Sequence, residues 1–61
     1  MMTVYETVKK YELGNFAKKY RKPNGNIIPL PNLDKLMITE VKDVYINLME
    51  KTATITIFWE D

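Results

Sequence analysis

The chain has 61 residues, nine Lys and Arg against eight Asp and Glu, 46% hydrophobic side chains, no Cys and no His. That length holds one domain at most and buries only roughly 60% of the surface its unfolded form exposes, too little for a self-contained catalytic cleft to be expected. The absence of Cys removes disulfide scaffolds, thiol nucleophiles and thiolate zinc sites, and the absence of His removes the usual general base and the commonest metal ligand.

The N-terminus MMTVYETVKKYEL turns polar within a few residues, and no run approaches the roughly 18 apolar residues of a membrane helix. A cytoplasmic location with no membrane association is the expectation. Abundant β-branched and aromatic residues at a net charge of +1 argue against disorder. Charge is divided along the chain: residues 1–26 hold six basic and two acidic residues, a net +4, and residues 27–61 hold three and six, a net −3. A molecule whose halves face different ways is then an electrostatic dipole.

Thr3 followed by Glu6 is a capping-box spacing, and Val4, Val8 and Tyr11 recur at i, i+4 and i+7, which predicts a helix within residues 3–13. A β-strand is the alternative there, because Val, Tyr and Thr are frequent. Gly14-Asn15 reads as the helix stop. Leu13, Phe16, Ala17 and Tyr20 then form a second helical stripe, so residues 1–21 are expected to be a helical segment, as two helices or as one passing through Gly14. Lys22-Pro23-Asn24-Gly25 is the strongest turn signal: Pro presets φ, and Asn-Gly accepts positive φ.

The two prolines of Asn26–Leu33 predict an extended connector or an edge strand, so residues 22–35 form a turn and connector. From Leu36 onward apolar and polar residues alternate, with Val44, Ile46 and Leu48 on one face and Ala53, Ile55, Ile57 and Trp59 on one face of the next run. Glu50-Lys51 lies between these runs as a hairpin loop of four residues or more, since it lacks the Gly or Asn of a tight turn. Residues 36–49 read either as two strands broken at Lys42-Asp43 or as one long strand. The expected fold is α+β: an N-terminal helix packed on a small antiparallel meander of two to four strands.

Chemistry is sparse. Glu40 and Asp43 form an acidic pair too small for a calcium site, and Glu60-Asp61 make a solvated acidic tail. There is no Ser, and the glycines Gly14 and Gly25 build no phosphate loop. No catalytic residue, metal or cofactor is expected. The candidate binding residues are the basic, aromatic run Lys18, Lys19, Tyr20, Arg21 and Lys22 with Asn24, where the cations reach phosphates and Tyr20 stacks on a base, or the whole run docks on an acidic protein. Phe58 is the second candidate: parity sends Trp59 to the core and Phe58 to the Thr52, Thr54, Thr56 face, where Tyr45, Met37 and Met49 add apolar surface. Two apolar faces on so short a chain point to a homodimer.

In size and residue usage the chain resembles small accessory proteins of phages or mobile elements, including inhibitors of host enzymes, although no motif carries the likeness. The leading expectation is a non-enzymatic module that binds a host or cognate protein and acts by occlusion. The alternative is a small nucleic-acid-binding protein using the basic run.

Overall fold

Two short helices and three strands build the fold. The computed structural model describes residues 1–29 and 31–60, with α1 (Val4–Lys10), β1 (Ala17–Arg21), α2 (Leu33–Ile38), β2 (Val41–Asn47) and β3 (Thr52–Ile57) in chain order. Leu30 of the connector and Asp61 of the acidic tail lie outside the described residues.

The capping box forms as the spacing implies: Glu6 N–H donates to Thr3 Oγ1 at 3.2 Å and Thr3 N–H donates to Glu6 Oε1 at 2.9 Å. That bond from the Thr3 backbone holds the Glu6 carboxyl below its ordinary value of 4.5. Thr7 is fully buried on the inner side of α1, and its hydroxyl is satisfied by the Thr3 carbonyl at 2.9 Å. The helix ends earlier than Gly14-Asn15. Tyr11 is its C-cap, and Glu12 takes the left-handed conformation at φ 55°. Leu13 N–H then bonds to the Val8 carbonyl at 2.9 Å, and its side chain enters the core.

Residues 17–21 are a strand, which corrects the helical segment expected through residue 21. The stripe of Leu13, Phe16, Ala17 and Tyr20 fits a helix, but five residues carry period two equally well, and the partner that decides the matter lies 35 residues downstream. β1 runs parallel to β3, from Ala17 opposite Thr52 to Arg21 opposite Thr56. At Gly25, φ is 95°, and Gly25 N–H closes the expected turn on the Lys22 carbonyl at 2.9 Å.

A second correction concerns residues 33–38, which form α2 in place of an extended connector running into a strand. Asn32 caps this helix by accepting from Lys35 N–H at 3.1 Å, and Leu33, Leu36 and Met37 are spaced i, i+3, i+4. The Thr39 hydroxyl donates to the Lys35 carbonyl at 2.7 Å, and Thr39 is already extended. β2 therefore starts at Val41, and Lys42 is the extra residue of a bulge between Val41 and Asp43, where a turn or an unbroken strand was expected.

β2 and β3 form the expected hairpin around residues 48–51, with Lys51 left-handed at φ 54°. The sheet is mixed, in the order β1-β3-β2, and not an antiparallel meander. Both helices lie on one face, where Val4, Leu13, Ile28, Leu36, Ala53, Ile55 and Ile57 make the buried core. Val44, Ile46, Met37 and Trp59 pack against it, whereas Leu48, expected inside, is exposed in the hairpin loop. Lys35 Nζ sits 4.3 Å from the centre of the Trp59 ring and donates to the Glu60 carbonyl at 2.7 Å, which ties the chain end to α2.

Replacing Leu36 by Ala is expected to cost about 2–5 kcal/mol, most of what a domain of this size possesses, and to leave the chain largely unfolded by circular dichroism. Thr3→Ala is expected to cost about 1 kcal/mol in a urea titration. Because the Glu6 pKa is lowered by folding, the Glu6 share of this stability is complete above about pH 4.5 and is lost as pH falls through the lowered value, a dependence that Glu6→Gln abolishes.

Candidate interaction face

The inner face of the sheet is spent on the core, and the outer face carries the unassigned side chains. Registers on both sides of β3 place them in three rows. The first is Ile27, Arg21, Thr56, Asp43; the second is Lys19, Thr54, Tyr45; the third is Ala17, Thr52, Asn47. Neither helix covers this face. Tyr45 is 68% exposed, Lys19, Asp43 and Ile27 are exposed, and the threonines keep partial exposure between the outer strands. Lys19 and Arg21 stand on the β1 side, and β2 carries Asp43 with the exposed Lys42 of the bulge next to it.

Strand alternation divides the basic run. Lys18 and Tyr20 point to the inner face, opposite Ala53 and Ile55. Lys18 Nζ donates to the carbonyls of Leu13 at 3.0 Å and Phe16 at 2.9 Å, with Gly14 O at 3.5 Å, and thereby satisfies the loop between α1 and β1. Tyr20 packs against the core, and burial pushes its phenol pKa above the ordinary value of 10.0. It is not presented for stacking on a base. Lys19 and Arg21 remain on the outer face. Arg21 Nη2 reaches the Gly25 carbonyl at 3.4 Å, and its buried Nε has no hydrogen-bond partner among the described residues.

Lys22 opens the turn, with its N–H on the Asn26 carbonyl at 2.8 Å, and the Asn24 side-chain oxygen is used inside that turn, accepting from Asn26 N–H at 2.9 Å. Phe58 is 44% exposed and lies just past the end of β3, where its N–H bonds to the Glu40 carbonyl at 3.1 Å. It lines a groove of about 530 Å³ with Met1, Lys35, Ile38, Thr39 and Glu40. The structure thus brings together Lys19 and Arg21, sets Lys22 and Asn24 in the adjoining turn, and takes Lys18 and Tyr20 away. Tyr45, Asp43 and Ile27 join the face without having been singled out as binding residues. The signal for Tyr45 and Asp43 was their parity opposite to Val44 and Ile46, whereas Ile27 needed the bridge to Arg21.

The sheet's edges are partly closed. Val41 N–H donates to the Met2 carbonyl at 2.8 Å, the bulge at Lys42 interrupts β2, and Asp43 occupies Val44 N–H through its own carboxylate at 2.9 Å. On the other side Ile28 N–H bonds to the Tyr20 carbonyl at 2.8 Å. Among the described residues no group of three or more acidic side chains is placed to hold a metal ion, and no helix is long and apolar enough to cross a membrane. No family model, characterised protein or solved structure matches the chain.

Lys18→Ala is expected to lower stability by about 1–2 kcal/mol, because partly buried carbonyls lose a charged donor, whereas Lys19→Ala stays within about 0.5 kcal/mol; paired urea titrations measure both. A raised Tyr20 pKa means that its contribution to stability is complete below about pH 10.0 and is lost as pH climbs through the folded value. In a phenolate absorbance titration Tyr20 should ionise above its ordinary value of 10.0, and Tyr20→Phe should remove that late step.

Proposed function

We propose that this protein is a non-enzymatic interaction module that docks on a cognate protein through the outer face of its sheet and acts by occlusion. One observation carries the reading: a sheet with both helices on one side leaves the other side bare, with an exposed Tyr45 beside Lys19 and Arg21. Tyr and Arg are the side chains most enriched at the centres of protein interfaces, since each combines a large contact area with a polar end. The threonines between them give a flat floor on which a partner loses little side-chain entropy.

A nucleic-acid reading draws less support. Lys18 is engaged with loop carbonyls and Tyr20 is packed inward, so only Lys19 and Arg21 remain as phosphate contacts on the face, and Asp43 opposes them. Binding carried by two phosphate contacts is weak at physiological salt.

A photo-crosslinking amino acid at position 45, expressed in cells that carry the protein natively, tests the proposal against the same probe at Tyr5, which is exposed on α1. The expected result is one discrete adduct with a foreign protein from position 45 and none from position 5. Equal labelling from both positions, or none from either, would overturn it. So would salt-sensitive binding of single-stranded DNA or RNA that is lost in the Lys19→Ala/Arg21→Ala variant.

A further inference from the structure

We propose that the outer face is self-complementary and pairs with the same face of a second copy about a two-fold axis running along β3. The registers fix what such an axis does. It exchanges the β1 and β2 sides while keeping height along the strands, so the Arg21 position of one copy stands over the Asp43 position of the other, in the row they share with Thr56, and the pair forms as the guanidinium leaves the Gly25 carbonyl and the carboxylate leaves Val44 N–H. In the next row Lys19 stands over Tyr45, an ammonium above an aromatic face. Thr54 and Thr56, on the central strand, meet their own counterparts. Each contact occurs twice, as an isologous interface requires.

The charge pattern also selects this axis over its alternative. A two-fold running across the strands keeps β1 over β1 and brings Lys19 and Arg21 of both copies together. Like charges so placed repel, and the carboxylates are left unmatched. Edge-to-edge pairing through β2 meets the bulge at Lys42, the Asp43 carboxylate on Val44 N–H, and Met2 already bonded at Val41.

The contact is small. Three strands about 4.8 Å apart and five residues long at about 3.3 Å each make a patch well short of the roughly 800 Å² per partner of stable interfaces. The dimer is therefore weak and concentration-dependent, and it shields the surface assigned above to a foreign protein. That partner and the second copy compete for one face, but the pairing does not depend on the partner's existence.

Sedimentation velocity over a concentration series is the first test, with wild type, Arg21→Glu, Asp43→Lys and an equimolar mixture of the two variants. Wild type is expected to move from monomer to dimer as concentration rises, each variant alone to stay monomeric, and the mixture to dimerise again. In the mixed pair the new carboxylate of one chain faces the new ammonium of the other. Circular dichroism confirms that each variant is folded.

A second measurement does not disturb the charges. The chain has no Cys, and facing sheets lie about 10 Å apart, too far for a disulfide, so Thr54→Cys near the axis is expected to be linked into a dimer by a short bis-maleimide, and Tyr5→Cys on α1 is not. A wild type that stays monomeric to its solubility limit, together with no Thr54→Cys crosslink, overturns the proposal. Growth past the dimer to open-ended oligomers also overturns it, since that marks edge pairing. A photo-adduct from position 45 containing only two copies of this chain supports the pairing and removes the foreign-partner reading; a foreign adduct from a strictly monomeric protein does the reverse.

Discussion

The strict alternation of β3, Thr-Ala-Thr-Ile-Thr-Ile, is the constraint on which the rest of the structure depends. β3 is hydrogen-bonded on both sides, parallel to β1 and antiparallel to β2, so its parity sets the parity of its neighbours. Ala53, Ile55 and Ile57 face the helices and are almost wholly buried, and the threonines face outward. A slip of one residue would carry three hydroxyls into the core and three apolar side chains out of it. The same register sets small Ala53 beside Lys18, whose ammonium turns back to the α1–β1 loop. One strand thus decides both what is buried and which side chains are offered outside.

The hairpin was legible in the sequence because it is local. Val44, Ile46, Ala53, Ile55 and Ile57 alternate within 14 residues, and the loop between them lies where the pattern breaks. The capping box of α1 and the turn at Asn24-Gly25 were legible for the same reason, each resting on contacts across three or four residues. β1 was not, because Ala-Lys-Lys-Tyr-Arg has no strong preference of its own and becomes a strand by pairing with β3. α2 was obscured by Pro29 and Pro31, which suggested an extended chain, while Asn32, the residue after Pro31, was the cap of a six-residue helix.

Mistaking β1 had a direct consequence for the site. Read as a surface run near a turn, Lys18 to Lys22 forms one cationic patch with an aromatic inside it. Placed on a strand, every second member goes to the other face. The cation that satisfies loop carbonyls and the tyrosine that packs on the core become structural, and Lys19 and Arg21 acquire neighbours from β3 and β2 that lie more than 20 residues away. The outer face could not be assembled until the parallel pairing was known. Tyr45 and Asp43 had the right parity from the outset but no cationic partner to give it meaning.

The described residues make two layers, helices on one sheet. Both helices are committed to one side of the sheet, so the other must face water or a partner, and its composition suits both conditions. Threonine offers a hydroxyl to solvent and a methyl group to a covering surface, and it holds one of few rotamers on a strand, so little freedom is lost when it is covered. Lys19 and Arg21 on the β1 side and Asp43 with Lys42 on β2 keep charge at both margins of the face. The bulge and the Asp43 carboxylate discourage strand addition at β2. Exposed Tyr45 stands on a broad surface that neither helix covers.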